Sequence, residues 1–258
     1  MSVRPLAVVT GASAGIGQEL SRVLAREGHD LVLVARRELQ LKQLADELAT
    51  AYRANCTVAA VDLALPDAAD NVMTALAGRT VDVLVNNAGF GGMGRFASRT
   101  REDDMRMVAV NVTAVTDLTK VLVPQMVARG RGRILNVAST AAFQPGPFMA
   151  VYYASKAYVL SLSEALAEEL AGTGVTVTCL CPGVTESEFH SVAGTDAQPL
   201  TSSALTMTSA AVAEAGYRAM MRGKMVEIPG LTNKVGAQAI RIAPRRLVLK
   251  IVRRLHPA

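Results

Sequence analysis

Seven short runs rich in Val, Leu and Ile, near residues 6–10, 31–35, 57–61, 82–86, 132–138, 175–181 and 225–228, alternate with stretches of helical period. The helical stretches fall near 15–27, 37–52, 66–77, 100–128, 152–171 and 209–222. Strands that are apolar along their whole length are buried on both faces, and their alternation with helices marks βαβ units around a parallel sheet. Crossovers between parallel strands are right-handed. The pattern therefore predicts an α/β fold with a doubly wound, Rossmann-like, seven-stranded parallel sheet and helices on both faces. The ligand crevice of such a sheet lies at the C-terminal ends of its strands. The 258 residues are half hydrophobic and contain no Trp, which suits one large aliphatic core. No linker divides the motifs, so a single dinucleotide-binding catalytic domain is expected over 1–230, with a substrate loop at 186–210 and a basic amphipathic tail over 231–258.

The first strand runs straight into Thr10-Gly-Ala-Ser-Ala-Gly-Ile-Gly17 and then a helix. Gly11, Gly15 and Gly17 let the backbone approach a pyrophosphate held at a helix N-terminus, although a plain tight turn has a similar composition. At the end of the second strand an acidic side chain would accept a ribose 2′-hydroxyl, but this chain has Arg36 and Arg37. Two guanidinium groups, with the Ser13 hydroxyl, suit a 2′-phosphate and therefore NADP(H); the bland alternative is a solvated basic helix start. Asn86-Asn87-Ala88-Gly89 ends the fourth strand, where amides can tie the sheet together while Ala88 and Gly89 leave room for a cofactor. Asn111 interrupts the apolar helical run Met107 to Leu118, where an amide has poor propensity and must be satisfied.

Ser139 ends the fifth strand, and its hydroxyl can donate to a carbonyl oxygen on which negative charge develops. A strand-end Ser is also an ordinary turn residue. Tyr152 and Lys156 follow at a spacing of four, which in a helix places both on one face about 5–6 Å apart at Cβ. Tyr titrates near 10 when unperturbed, so acid/base work near pH 7 asks for a fall of about 3 units, to which a fixed Lys and a cationic nicotinamide would contribute. Tyr153 breaks that spacing and is assigned to packing.

These residues in this order resemble the short-chain dehydrogenase/reductase family, in its branch of single-domain members that include ketoacyl reductases. The marks are the glycine turn, Asp62-Leu63, Asn86 to Gly89, Asn111, Ser139, Tyr152 with Lys156, and Pro182-Gly183-Val184-Thr185 followed by Ser187. The resemblance implies that Ala14 and Ile16 join the glycines around the pyrophosphate. It puts Asp62 on the adenine amino group, with Leu63 beside the ring, although Asp62 also reads as a cap for a helix starting at Pro66. Asn87, Ala88, Gly89, Tyr152 and Lys156 then flank the nicotinamide half, and Pro182, Gly183, Val184, Thr185 and Ser187 meet its carboxamide and phosphates. The resemblance also implies that Asn111 bends its helix and holds a water that connects Lys156 to solvent. The implied activity is NADPH-dependent reduction of a carbonyl, or oxidation of the alcohol, with Asn111, Ser139, Tyr152 and Lys156 as the catalytic set.

Phe143, Phe148, Met149, Phe189, Leu200, Leu205 and Met207 make the expected substrate wall apolar, favouring a 3-ketoacyl thioester, with steroid or xenobiotic ketones as the alternative. A non-catalytic NADP-binding sensor or scaffold is the alternative from another class. Cys56, Cys179, Cys181, His29, His190 and His256 form no ligand spacing, so no metal is expected. No signal segment is expected and no run reaches eighteen apolar residues, which points to the cytoplasm.

The 27 basic and 22 acidic residues give +5, yet six basic residues and no acidic one lie from Arg241 to Ala258, leaving −1 for the rest. The body thus gives no reason to invoke nucleic acid. After Pro244, helical spacing gathers Leu247, Val248, Ile251, Val252 and Leu255 on one side. Two readings stay open: a helix packed on its own domain or a partner subunit, and an interfacial helix on the inner face of a membrane. The resemblance implies a homodimer through the helices at 100–128 and 152–171. A homotetramer through the last strand is less well supported, because Val226-Glu-Ile-Pro-Gly230 departs from the commoner family ending.

Overall fold

The computed structural model describes residues 4–186 and 206–255. Seven parallel strands form its main sheet: β1 (Leu6–Thr10), β2 (Asp30–Ala35), β3 (Cys56–Ala60), β4 (Val83–Asn86), β5 (Gly132–Val137), β6 (Val175–Leu180) and β9 (Val226–Glu227). Their order is β3-β2-β1-β4-β5-β6-β9, and two short strands, β7 (Thr185–Glu186) and β8 (Met207–Thr208), pair apart from it. The helices are α1 (Gly15–Arg26), α2 (Glu38–Tyr52), α3 (Ala68–Leu76), α4 (Arg101–Val108), α5 (Ala114–Ala128), α6 (Ala150–Glu169), α7 (Ser209–Met221), α8 (Leu231–Ile242) and α9 (Arg245–Leu255). The order reverses at β1, with β2 on one side and β4 on the other, which opens the crevice where the glycine turn stands.

Side chains alternate across each strand and fill two layers. Leu6 and Val8 of β1 join Val32 and Val34 of β2 under α3 and α5, while Ala7 and Val9 join Leu31 and Leu33 under α1, α2 and α7. Enclosed leucines such as Leu20, Leu84 and Leu118 contribute about 1.5–3 kcal/mol each by leaving water. A buried amide and hydroxyl chain ties the middle of the sheet to its helices. Asn86 Nδ2 donates to Thr119 Oγ1 and Asn136 Oδ1, and Asn136 Nδ2 donates to Ser163 Oγ.

The helical run at 100–128 is one 28-residue helix, with a π-helical segment, Ala109–Thr113, between α4 and α5. It is long and apolar enough to cross a membrane by length and hydropathy alone, but Leu118, Leu122 and Met126 pack into the core. The last strand is shorter than its apolar run suggests, because only residues 226 and 227 pair with β6. The stretch after residue 230 holds α8 and α9, and both fold back on the domain. Ala237 of α8 lies buried with Cys181 and Ile228, and Val248 and Val252 of α9 lie buried with Met107, Met149, Tyr152 and Tyr153. Of the expected stripe on α9, Leu247 and Ile251 face outward instead.

Candidate active site

Thr10 organises the turn between β1 and α1. Its buried Oγ1 donates to Val85 O and accepts from the backbone N–H groups of Asn87 and Ala88, so the end of β1 is locked to the end of β4. Asn87 Nδ2 donates to Thr10 O and Gly11 O. Gly11 sits at φ +66°, where a Cβ would meet Asn87 Nδ2 at 2.7 Å, and a Cβ on Gly17 would lie 2.3 Å from Gly11 O. Glycine is thus required by close backbone approach. Gly15, at φ +56°, begins α1, whose cap residue Ala14 makes no side-chain cap and whose first turn, with Ile16 and Gly17, holds no acid. The positive end of the helix dipole is left for a ligand anion.

At the end of β2, Arg37 donates from Nε and Nη2 to Ser13 Oγ, and from Nη2 to Ser13 O, while Arg36 is exposed beside it. Arg37 and the Ser13 hydroxyl thus stand together, while the only electrostatic influence seen from Arg36 among the described residues is on Asp62. Asp62 follows β3. Its Oδ1 accepts from Ala64 N, and Oδ2 forms an ion pair with Arg106 of α4 at 2.5 Å. Burial raises the carboxyl's pKa, but the Ala64 N–H and the Arg106 guanidinium outweigh it and hold the group below the usual range. Asp62 does not cap α3, whose cap position is Asp67. Leu63 is buried in the adjoining core.

Ser139, Tyr152 and Lys156 meet beyond the end of β5. Ser139 Oγ accepts from Ala141 N and is hydrogen-bonded to the Tyr152 phenol. Lys156 Nζ donates to Val137 O at 2.9 Å and lies 5.9 Å from the Tyr152 ring centre. A Cβ on Gly89 would come within 3.3 Å of that ammonium and 3.1 Å of Asn111 Oδ1, so Gly89 keeps the space beside the lysine open. Burial pulls the ammonium down to about 8, against the upward influence of Cys179 and Cys181. Burial also pushes the phenol up to about 12, with the Ser139 hydrogen bond acting the other way. This departs from the lowered phenol pKa expected from the Tyr–Lys spacing: Lys156 is turned to Val137 O, and desolvation dominates at the tyrosine.

Asn111 stands at the centre of the π-helical segment, where the extra residue per turn frees backbone groups and swings its amide inward. Its Nδ2 donates to Phe90 O and Ser155 Oγ, and its Oδ1 accepts from Phe90 N. The amide is satisfied by pinning the loop after β4 to α6. Tyr153 makes an edge-on contact with Tyr152 and presses on Gly146, where a Cβ would lie 2.2 Å from its ring. That is a packing role.

The loops flanking the site are braced by contacts the sequence did not reveal. Arg99 forms an ion pair with Asp104 at 2.6 Å and donates to Met93 O. Phe148 holds φ +66°, uncommon for a bulky residue, and its carbonyl accepts from Gly94 N, joining the loop before α6 to the loop after β4. Met149 is buried with Tyr152, but Phe143 packs with Val115 and Ile228, and Met207 packs toward α7, so neither belongs to that cluster. Pro182 O accepts from Thr140 N, Thr185 Oγ1 donates to Gly183 O, and Val184 O accepts from Met207 N, placing this loop across from Ser139. A Cβ on Gly183 would meet the Asn233 side chain of α8 at 2.5 Å. Ser187, Phe189, His190, Leu200 and Leu205 lie outside the described residues. Among the described residues no cluster of three metal-ligating side chains occurs.

Residues 5–198 match the family described as "short chain dehydrogenase". The chain is 40% identical over 191 residues to granaticin polyketide synthase putative ketoacyl reductase 1 of Streptomyces violaceoruber, covering 72% of this chain and 70% of that one. It is 37% identical over 187 residues to a short chain dehydrogenase of Pseudocercospora fijiensis, covering 71% of this chain but only 60% of that relative's length. Among solved structures, a short-chain dehydrogenase from Sphingobium yanoikuyae in complex with NADPH is similar over 94% of both chains, with 34% identity and a TM-score of 0.84.

Proposed function

The chain belongs to the short-chain dehydrogenase/reductase family, an oxidoreductase family acting on alcohol and keto groups, and from that premise we propose that it reduces an apolar ketone with NADPH. The observation that carries the reading is the Tyr152 phenol hydrogen-bonded to Ser139 with the Lys156 ammonium alongside. When bound, the reduced nicotinamide supplies a hydride to the carbonyl carbon. Gly11, Ala14, Gly15, Ile16 and Gly17 would hold the pyrophosphate, and Arg36, Arg37 and Ser13 the 2′-phosphate. Asp62 and Leu63 would take the adenine, and Asn87, Ala88, Gly89 and the loop from Pro182 to Thr185 the nicotinamide half.

Ser139 donates to the substrate oxygen and polarises it, and the same hydroxyl stabilises the charge that grows there. Tyr152 then gives its proton to that oxygen. A phenol near 12 is neutral at pH 7, and an alkoxide is a much stronger base, so the transfer runs downhill in the reductive direction. Lys156 sits where it can stabilise the phenolate left behind, and Asn111 fixes the loop and helix on either side of it.

A 3-ketoacyl thioester is the substrate class favoured here, on the likeness to a polyketide ketoacyl reductase and on the apolar setting of Met149 and the two tyrosines. The test is NADPH oxidation with 3-ketoacyl thioesters of increasing length, ketosteroids and a ketose. Turnover on the thioesters, with kcat/KM rising with chain length, is expected. Bound NADPH without oxidation on any ketone would overturn catalysis in favour of a sensor or scaffold.

A further inference from the structure

Six of the large apolar side chains that stand exposed belong to α8 and α9: Leu231, Val235, Ile242, Leu247, Leu249 and Ile251. Leu231, Val235 and Ile242 share one side of α8, opposite Ala237, which packs inward, and they are exposed by 77%, 61% and 89%. Leu247 and Ile251 lie one turn apart on α9. Lys250 and Arg254 each stand three residues further on, so the apolar stripe is bordered by ammonium and guanidinium groups. Isolated exposed apolar residues need no explanation, but a stripe on each of two consecutive helices does.

We propose that the outer faces of α8 and α9 dock the protein on an anionic lipid bilayer. The cations decide the occupant. A second copy of this chain meeting the face by two-fold symmetry would set Lys250 and Arg254 against groups of the same stretch, and Leu231 to Ala258 offers no acidic residue to pair with them. A surface that is apolar below and negatively charged at its headgroups complements both features. The inner face of α9, Val248 and Val252, packs against Met149, Tyr152 and Tyr153, so the docked helix is also a wall of the active-site region. A membrane so placed lies next to the site, where an apolar ketone would arrive from lipid.

The test reads lipid binding without turnover, so its failure is separable from failure of the proposed reaction. The full-length protein is floated with vesicles of phosphatidylcholine alone and of phosphatidylcholine with phosphatidylglycerol. Recovery with the anionic vesicles, released by added salt, is the expected result. Each basic residue near an anionic surface strengthens binding about fivefold, so K250E with R254E is expected to weaken it by about 25-fold or more. L247Q with I251Q is expected to abolish recovery while keeping the parent's melting temperature, since both side chains are exposed. Equal recovery of parent and both variants, or a lack of recovery with a parent oligomer that L247Q with I251Q dissociates, would overturn the proposal, the second outcome in favour of a second copy of the chain.

Discussion

Replacing Thr10 by Val keeps the shape of the side chain and removes the one oxygen on which the β1–β4 junction turns. The hydroxyl is buried, accepts from Asn87 N at 2.9 Å and Ala88 N at 3.0 Å, and donates to Val85 O at 3.2 Å. A buried donor left without its acceptor costs about 1–3 kcal/mol, and because these two N–H groups are part-buried their stranding predicts a loss of about 3 kcal/mol in all. For a domain of this size 3 kcal/mol corresponds to a fall in Tm of about 6–12 °C. Urea unfolding of the ligand-free protein is the assay, with a lower midpoint at unchanged slope as the sign that the folded state alone has changed. Thr10→Ser, which keeps the oxygen and loses a methyl group, should lose only about 1 kcal/mol. A Thr10→Val protein within about 0.5 kcal/mol of the parent would refute the account of this junction.

Charge-assisted hydrogen bonds contribute about 1.5–3 kcal/mol each, so Arg36→Asp combined with Arg37→Ala should lower the NADPH over NADH ratio of kcat/KM by about 10² or more. An unchanged ratio would show that neither guanidinium meets a 2′-phosphate. Lys156 titrates near 8 in the folded protein and near 10.5 unfolded, so between those values the unfolded chain binds more protons and stability rises with pH. Relative to Lys156→Met, the parent should therefore gain on the order of 3 kcal/mol as pH goes from about 8 to about 10.5; parallel stability curves for the two proteins across that window would contradict the buried ammonium.

Much of the fold was legible because its strands are buried on both sides, which leaves unbroken apolar runs that helical periods separate. The glycine turn was legible for a steric reason, since Gly11 and Gly17 stand where a Cβ would strike Asn87 or backbone. Asn111 advertised itself as an amide in an apolar helix, and the π-helical segment is the physical answer to that conflict. What stayed hidden depends on contacts between distant residues. The Arg106–Asp62 pair joins α4 to the end of β3, the Arg99–Asp104 pair braces a loop, and Asn233 presses on Gly183, and none of these has a local pattern. The direction of the Tyr152 shift was hidden too, because spacing shows that Lys156 is near but not that its ammonium is turned to Val137 O. The apolar residues of α9 announced an amphipathic helix, yet only packing shows that Val248 and Val252 face inward while Leu247 and Ile251 do not.

The account rests on Tyr152 as the proton donor, and comparing Tyr152→Phe with Tyr153→Phe on one ketone tests this most directly. Both changes remove a single hydroxyl from adjacent, buried rings in edge contact, so their effects on packing are similar. NADPH affinity is measured first, and then NADPH oxidation in a single turnover. The account predicts NADPH binding kept in both, a fall of about 10² to 10⁴ in rate for Tyr152→Phe, and a mild effect for Tyr153→Phe. Near-parent turnover by Tyr152→Phe would contradict it.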